Sequence, residues 1–251
     1  MSEEVKERLI DPKDKGKIGQ IIFTIIIVLV LVFSITLASL HIFHTNYYET
    51  FWVNGQSMYP TLNLNAKKQD GTLIGKGPDS NPDGNYDVDY GFMDTHDYAL
   101  KNLNRFDIVV CRYSDDSTKW NIKRLIALPG ETFKISYASV GSEENGNLYV
   151  QNDKGEFELI EQPIDPEIVH GGTYQASQSN PITLGENEFF VMGDNRYGGN
   201  SYDSRTLTEP IKLKNILGRV VGLEARCRIV KNENNEYVPV DIKHYFPRYY
   251  F

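Results

Sequence analysis

One membrane-spanning helix followed by a β-rich domain is the fold class this sequence predicts. Three observations predict it. Residues 18–40 contain no charged side chain. The rest of the chain breaks into short runs of β-branched and aromatic residues, separated by Gly, Pro, Asn and Asp turn signals. Beyond residue 40 no long stretch has a helical period, and no internal repeat is present.

The helix comes first. At ~1.5 Å rise per residue, 18–40 reaches roughly 35 Å, enough to cross a ~30 Å hydrocarbon core with some tilt. Its centre, 25–33, is apolar all round, unlike a surface helix. A cleaved secretory signal is the competing reading. Such apolar regions run ~7–15 residues and end at small residues. Here the run is longer and ends on Ala38, Ser39 and bulky Leu40, which favours an uncleaved anchor. Lys6, Arg8, Lys13, Lys15 and Lys17 precede the span, and no Lys or Arg follows until Lys67. Positive residues stay inside. The expected organisation is therefore a cytoplasmic tail 1–17, an anchor 18–40 in the cell membrane, and an extracytoplasmic domain 41–251. Phe43, Tyr47, Tyr48, Phe51 and Trp52 follow the span, and either the membrane interface or the core of the outer domain accounts for them.

In the outer domain the strand candidates are 50–53, 107–112, 121–128, 132–137, 147–150, 157–160, 188–192, 216–222 and 225–231. Together they make an all-β or β-rich domain. Residues 63–104 read as an insertion, rich in Gly, Asn and Asp, that forms a surface excursion with a local hairpin. Within it, 79–87 matches the first half of a calcium loop. The twelfth position is Tyr90 rather than Glu, so a solvated acidic loop is the favoured account. A second irregular stretch covers 161–181.

Charge and cysteine content exclude other classes. The chain has 251 residues, with 34 acidic against 26 basic and a net charge of -8. Phosphate binding wants a basic surface, so nucleic acid is not an expected partner. Cys111 and Cys227 make neither a disulfide framework nor a zinc site, and two separate buried thiols are expected. Nothing in the sequence points to a metal or cofactor.

Three blocks carry candidate chemistry. In 53–62, Ser57 sits between Gly55 and Pro60 just after a strand-like run, a setting able to hold a hydroxyl in one orientation. In 121–130, Lys123 and Arg124 interrupt an apolar strand. Alternation puts Lys123 with Leu125 and Ala127, and Arg124 with Ile122 and Ile126. Both faces are partly apolar, so the pattern leaves open which cation is buried. In 189–205 a buried strand runs into a loop dense in Asp, Asn, Arg and Ser, suited to a turn network that also positions a catalytic group. Together they suggest a Ser–Lys dyad. A hydroxyl nucleophile needs a nearby base. A free lysine has a pKa of ~10.4, and a base near neutrality wants roughly 7–8; apolar burial supplies such a drop. His41, His44, His96, His170 and His244 all lie outside these blocks.

The residues resemble type I signal peptidases of bacteria. The resemblance rests on Gly55-x-Ser57-Met58-x-Pro60-Thr61-Leu62, on Lys123-Arg124 with Pro129-Gly130, on Gly193-Asp194-Asn195-Arg196, and on Ser201-x-Asp203-Ser204-Arg205, in family order behind an N-terminal anchor. It implies that Ser57 is the nucleophile, Lys123 the base, and Ser201 the group that hydrogen-bonds and orients the lysine. Asp203 and Arg205 are implied as a structural ion pair, and Val53, Met58, Leu62 and Ile122 as the lining of the substrate groove. The implied partners are the lipid bilayer and signal peptides of secreted pre-proteins, bound as an added strand and cut after small residues. Two departures stand out. Gly55 occupies a position where some members carry a serine that helps stabilise the oxyanion; here that donor is missing, as in members resembling those of Gram-positive bacteria. Residues 197–200 lengthen the third block, which leaves Ser204 as an alternative to Ser201. Two rival readings remain. One is a self-cleaving repressor-type Ser–Lys protease, disfavoured by the span. The other is a non-enzymatic membrane-tethered β-domain that binds a surface ligand.

Overall fold

A computed structural model describes residues 12–76, 82–115, 117–207 and 209–249. The chain divides into two units, Met1–Tyr47 and Tyr48–Phe251.

The first unit is one helix, α1 (Pro12–Tyr47). Pro12 stands at the first helical position, where no N–H partner is needed. The window Gly16–Ile42 has a mean hydropathy of 3.1 and none of it is buried by protein. The hydroxyls of Thr24 and Thr36 donate to the carbonyls of Gln20 and Val32, four residues back. The window thus presents an apolar surface on which both threonine hydroxyls bond within the helix, as suits a helix in lipid. The predicted span 18–40 lies inside this helix. Lys6 and Arg8 lie outside the described residues.

The second unit is built mainly of strands: β1 (Tyr48–Trp52), β2 (Val88–Asp94), β3 (Ile108–Cys111), β4 (Asn121–Ala127), β5 (Thr132–Ile135), β6 (Leu148–Gln151), β7 (Phe157–Ile160), β8 (Ile182–Thr183), β9 (Glu188–Met192), β10 (Ile211–Lys212), β11 (Ile216–Lys231) and β12 (Tyr237–Tyr249). The larger sheet runs in the order β1-β2-β11-β3-β4-β9-β10, with β12 also pairing β11. The smaller runs β7-β6-β5-β8. Every pairing is antiparallel. Ile126, Phe133, Ile135, Leu148, Phe190 and Met192 form one core cluster, with the Phe133 and Phe190 ring centroids 4.8 Å apart. A second cluster joins Phe51, Val53, Met58, Leu62, Met93, Ile108 and Val110. Phe51 therefore belongs to the core.

The insertion departs from the predicted surface excursion. It contributes β2, an inner strand between β1 and β11. Gly91 and its flanking aspartates disguise it as turn sequence. The glycine is there because a Cβ at position 91 would stand 2.3 Å from the Gly222 carbonyl oxygen on β11. Runs 216–222 and 225–231, predicted as two strands, are one strand, and the apparent break is a register irregularity at 220–225. β12 was not predicted. It is largely exposed, and Pro239 and Pro247 interrupt the alternation of Val238, Val240 and Ile242 with their neighbours. Residues 79–81 of the acidic loop lie outside the described residues. Past them, Asp83 accepts from the Lys231 N–H, and the Gly84 N–H donates to the Ile229 carbonyl, so the loop docks on β11. Among the described residues no cluster of three or more His, Cys, Asp or Glu side chains could hold a metal. Cys111 and Cys227 are free and buried, in separate clusters, and burial pushes both thiols up to about 12.

Candidate active site

The serine loop leaves β1 under tight control. Asn63 donates its side-chain amide to the Val53 and Gly55 carbonyls, at 2.6 and 2.9 Å, and its carbonyl accepts from the Asp89 N–H. Its own N–H donates to the Asp89 carboxylate. Asn63 has φ +60°, a left-handed conformation that asparagine tolerates better than most residues. From the other side, the Asn195 N–H donates to the Ser57 carbonyl at 3.0 Å and its amide to the Gln56 carbonyl at 3.1 Å. Gly193 packs so closely there that a Cβ would lie 2.3 Å from both the Ser57 carbonyl oxygen and the Ser201 hydroxyl. The serine loop is thus clamped between the start of the insertion and the loop after β9.

Lys123 and Arg124, adjacent on β4, are both buried, 3% and 7% exposed. Their partners separate their chemistry. Arg124 forms a bidentate pair with Asp194, Nε to Oδ1 at 2.8 Å and Nη2 to Oδ2 at 2.6 Å, and donates to the Phe106 carbonyl. The carboxylate thus holds the guanidinium in a fixed bidentate geometry. Among the described residues no carboxylate contacts Lys123. Its Nζ lies 2.9 Å from the Ser57 Oγ and 2.8 Å from the Ile122 carbonyl oxygen. Burial, against weaker opposing pulls from Cys111 and Asp203, brings its pKa down to about 8. An amine that sheds its proton near neutrality, in hydrogen-bond reach of a hydroxyl, meets the requirements of a general base.

Behind the lysine stands a second buried pair. Arg205 donates from Nε and Nη2 to the Asp203 carboxylate at 2.9 and 2.8 Å. Asp203 also accepts from the Gly193 N–H and the Ser201 hydroxyl. Burial pushes its carboxyl up, but Arg205 and these donors outweigh it and hold the group below its ordinary value.

The family model described as signal peptidase, peptidase S26, matches residues 19–223. The chain belongs to the signal peptidase S26 family. It is 27% identical over 209 residues to signal peptidase I P of Bacillus subtilis subsp. natto, covering 83% of this chain and 89% of the relative. It is 30% identical over 197 residues to signal peptidase I U of Bacillus subtilis strain 168, covering 77% and 80%. With signal peptidase I of Pseudomonas aeruginosa it shares 28% over 189 residues, covering 68% of this chain and 60% of that one.

Within this S26 peptidase two expectations need correction. The hydroxyl of Ser201, expected to bond the lysine, donates to Asp203 at 2.7 Å, while the lysine amine bonds Ser57 and the Ile122 carbonyl. Ser204, the alternative, accepts from the Val191 N–H and so pins β9. Met58 and Leu62, expected in the substrate groove, have no exposed surface and fill the core, because the loop turns them inward beneath Ser57. Val53 and Ile122 do line a groove of about 750 Å³ that also contains Ser57 and Lys123. Gly55 faces open space, so a serine would fit there.

Sequence reasoning missed the Arg124–Asp194 pair and the Asn63 clamp. The Arg and Asp sit inside the quoted motifs, so the signal was present without its pairing. Asn63 had no signal beyond directly following the first motif. Asn63→Ala is expected to cost about 2–4 kcal/mol, since it orphans two buried carbonyls and the Asp89 N–H. Urea unfolding checks this, and a loss below ~1 kcal/mol would remove the clamp from the account.

Proposed function

We propose that this chain is a membrane-anchored signal peptidase in which Lys123 activates Ser57 to cut signal peptides from secreted pre-proteins. The observation that carries the reading is a buried, carboxylate-free amine 2.9 Å from the Ser57 hydroxyl. The family and its relatives, several of them signal peptidases I, support the substrate class.

In the proposed reaction neutral Lys123 takes the Ser57 proton as Oγ attacks the scissile carbonyl. The Ser57 N–H donates to the developing oxyanion. The lysine ammonium then returns its proton to the leaving amine, and water hydrolyses the acyl-enzyme by the same base. The substrate lies extended along β4. β9 pairs with β4 only from Arg124 onward, which leaves the edge at 121–123 unpaired on that side. Such an edge accepts a peptide strand. Val53 and Ile122 bound the space for small side chains before the bond. α1 anchors the chain with residues 1–17 cytoplasmic and the strand domain outside, as the placement of Lys and Arg supports.

The pH dependence tests the base. Activity needs the neutral amine, and its pKa is about 8. So kcat/KM for a pre-protein should rise about tenfold per pH unit below that value and level off above it. A profile flat from about pH 6 to 9 would exclude Lys123 as the titrating base.

A further inference from the structure

The groove does not end at the dyad. Residues 51–57 line one wall consecutively, so from Ser57 the wall runs back through Val53 to Trp52. Pro82 and Tyr237 belong to the same lining, and Tyr237 shares a cluster with Trp52. Trp52 and Tyr237 are each half-buried, and both pack on the cluster of Ala66, Ile74, Val88, Cys227 and Ile229. Three of those five residues come from the 63–104 insertion. The insertion's turn also holds Pro82 in place through the bonds from Gly84 to Ile229 and from Lys231 to Asp83. Although the chain carries a net charge of -8, no carboxylate lines the groove among the described residues.

The direction follows from the proposed function, on which this step rests. If residues before the bond meet Val53 and Ile122, the chain further toward the substrate's N-terminus reaches Trp52. In a signal peptide that upstream chain is the end of its apolar region. We propose that the insertion builds an upstream subsite, walled by Trp52, Pro82 and Tyr237, that takes a large apolar side chain of the signal peptide. Half-exposed aromatic faces beside a proline gain by covering such a side chain, and among the described residues no carboxylate lines the groove to oppose it. The insertion thereby adds a selectivity separate from the small residues at the bond.

Three peptides and the full chain in detergent test this. One peptide begins about three residues before the bond, and one about eight, at ~3.3 Å per extended residue. The third is the longer peptide with serine replacing its upstream apolar residues. The long apolar peptide is expected to have a kcat/KM about tenfold above the other two. Tyr237→Ala, or Pro82→Asp if that variant does not fold, should erase most of this advantage. Equal kcat/KM for all three peptides overturns the subsite and leaves the peptidase reading standing. So does an advantage undiminished in the folded variant, which would assign the preference to the detergent. No cleavage of any peptide by the unvaried chain removes the peptidase reading and the subsite with it.

Discussion

Lys123→Met is expected to lower kcat for pre-protein cleavage by about 10³- to 10⁴-fold while leaving the fold intact. Methionine fills much the same volume on β4 but has no lone pair basic enough to take the Ser57 proton. Ser57→Ala should cost a similar factor, and the double variant little more, because nucleophile and base act as a unit. Stability should move little, for opposing reasons. Below pH 8 the amine is protonated folded and unfolded, and burying that charge carries its full penalty. The penalty fades as pH rises from about 8 toward the ordinary 10.5. The interval corresponds to roughly 3 kcal/mol, which methionine would recover at neutral pH. Against it stands the Ile122 carbonyl left without the lysine, at about 1–3 kcal/mol. Cleavage assays beside thermal melts check both halves. Activity within tenfold of the unvaried chain in either single variant would end the dyad assignment.

Asp203→Asn is expected to destabilise the domain by about 3–5 kcal/mol, the usual result of removing one partner from a buried ion pair. Its carboxylate serves Arg205, the Gly193 N–H and the Ser201 hydroxyl together, with no exposed surface. Arg205 would keep the Thr173 and Arg196 carbonyls as acceptors but no countercharge. A second effect separates this site from a purely structural one. Asp203 favours the protonated lysine, so its loss should lower the Lys123 pKa further. The rising limb of the pH–rate profile should then move to lower pH in the folded fraction. Because the Asp203 carboxyl is held below its ordinary value, its contribution in the unvaried chain is present above the normal carboxylate range. That contribution is lost as pH falls through the folded pKa. Urea titration and a pH series of kcat/KM measure the two effects. A stability loss under ~1 kcal/mol would show that the pair does not hold the site.

Several features could be read from the sequence because each is a local property. An uncharged apolar run must pair its backbone within itself, so residues 18–40 specify a helix whatever follows. Alternation placed Lys123 and Arg124 on opposite faces of one strand. The motifs in order marked Ser57, Lys123 and the Asp203–Arg205 pair. What the sequence left open depended on residues far apart in the chain. Both cations of β4 are buried, and the position of Asp194, seventy residues on, decides that Arg124 meets a carboxylate while Lys123 faces the Ser57 hydroxyl. β2 looked like loop because Gly91 answers to a backbone on β11 rather than to its own neighbours. Met58 and Leu62 share a motif with Ser57, yet the loop's path sends them into the core and the serine into the groove. Composition and periodicity fix what a segment can bury. Which groups it meets there, and so which proton can leave, is set only when the strands come together.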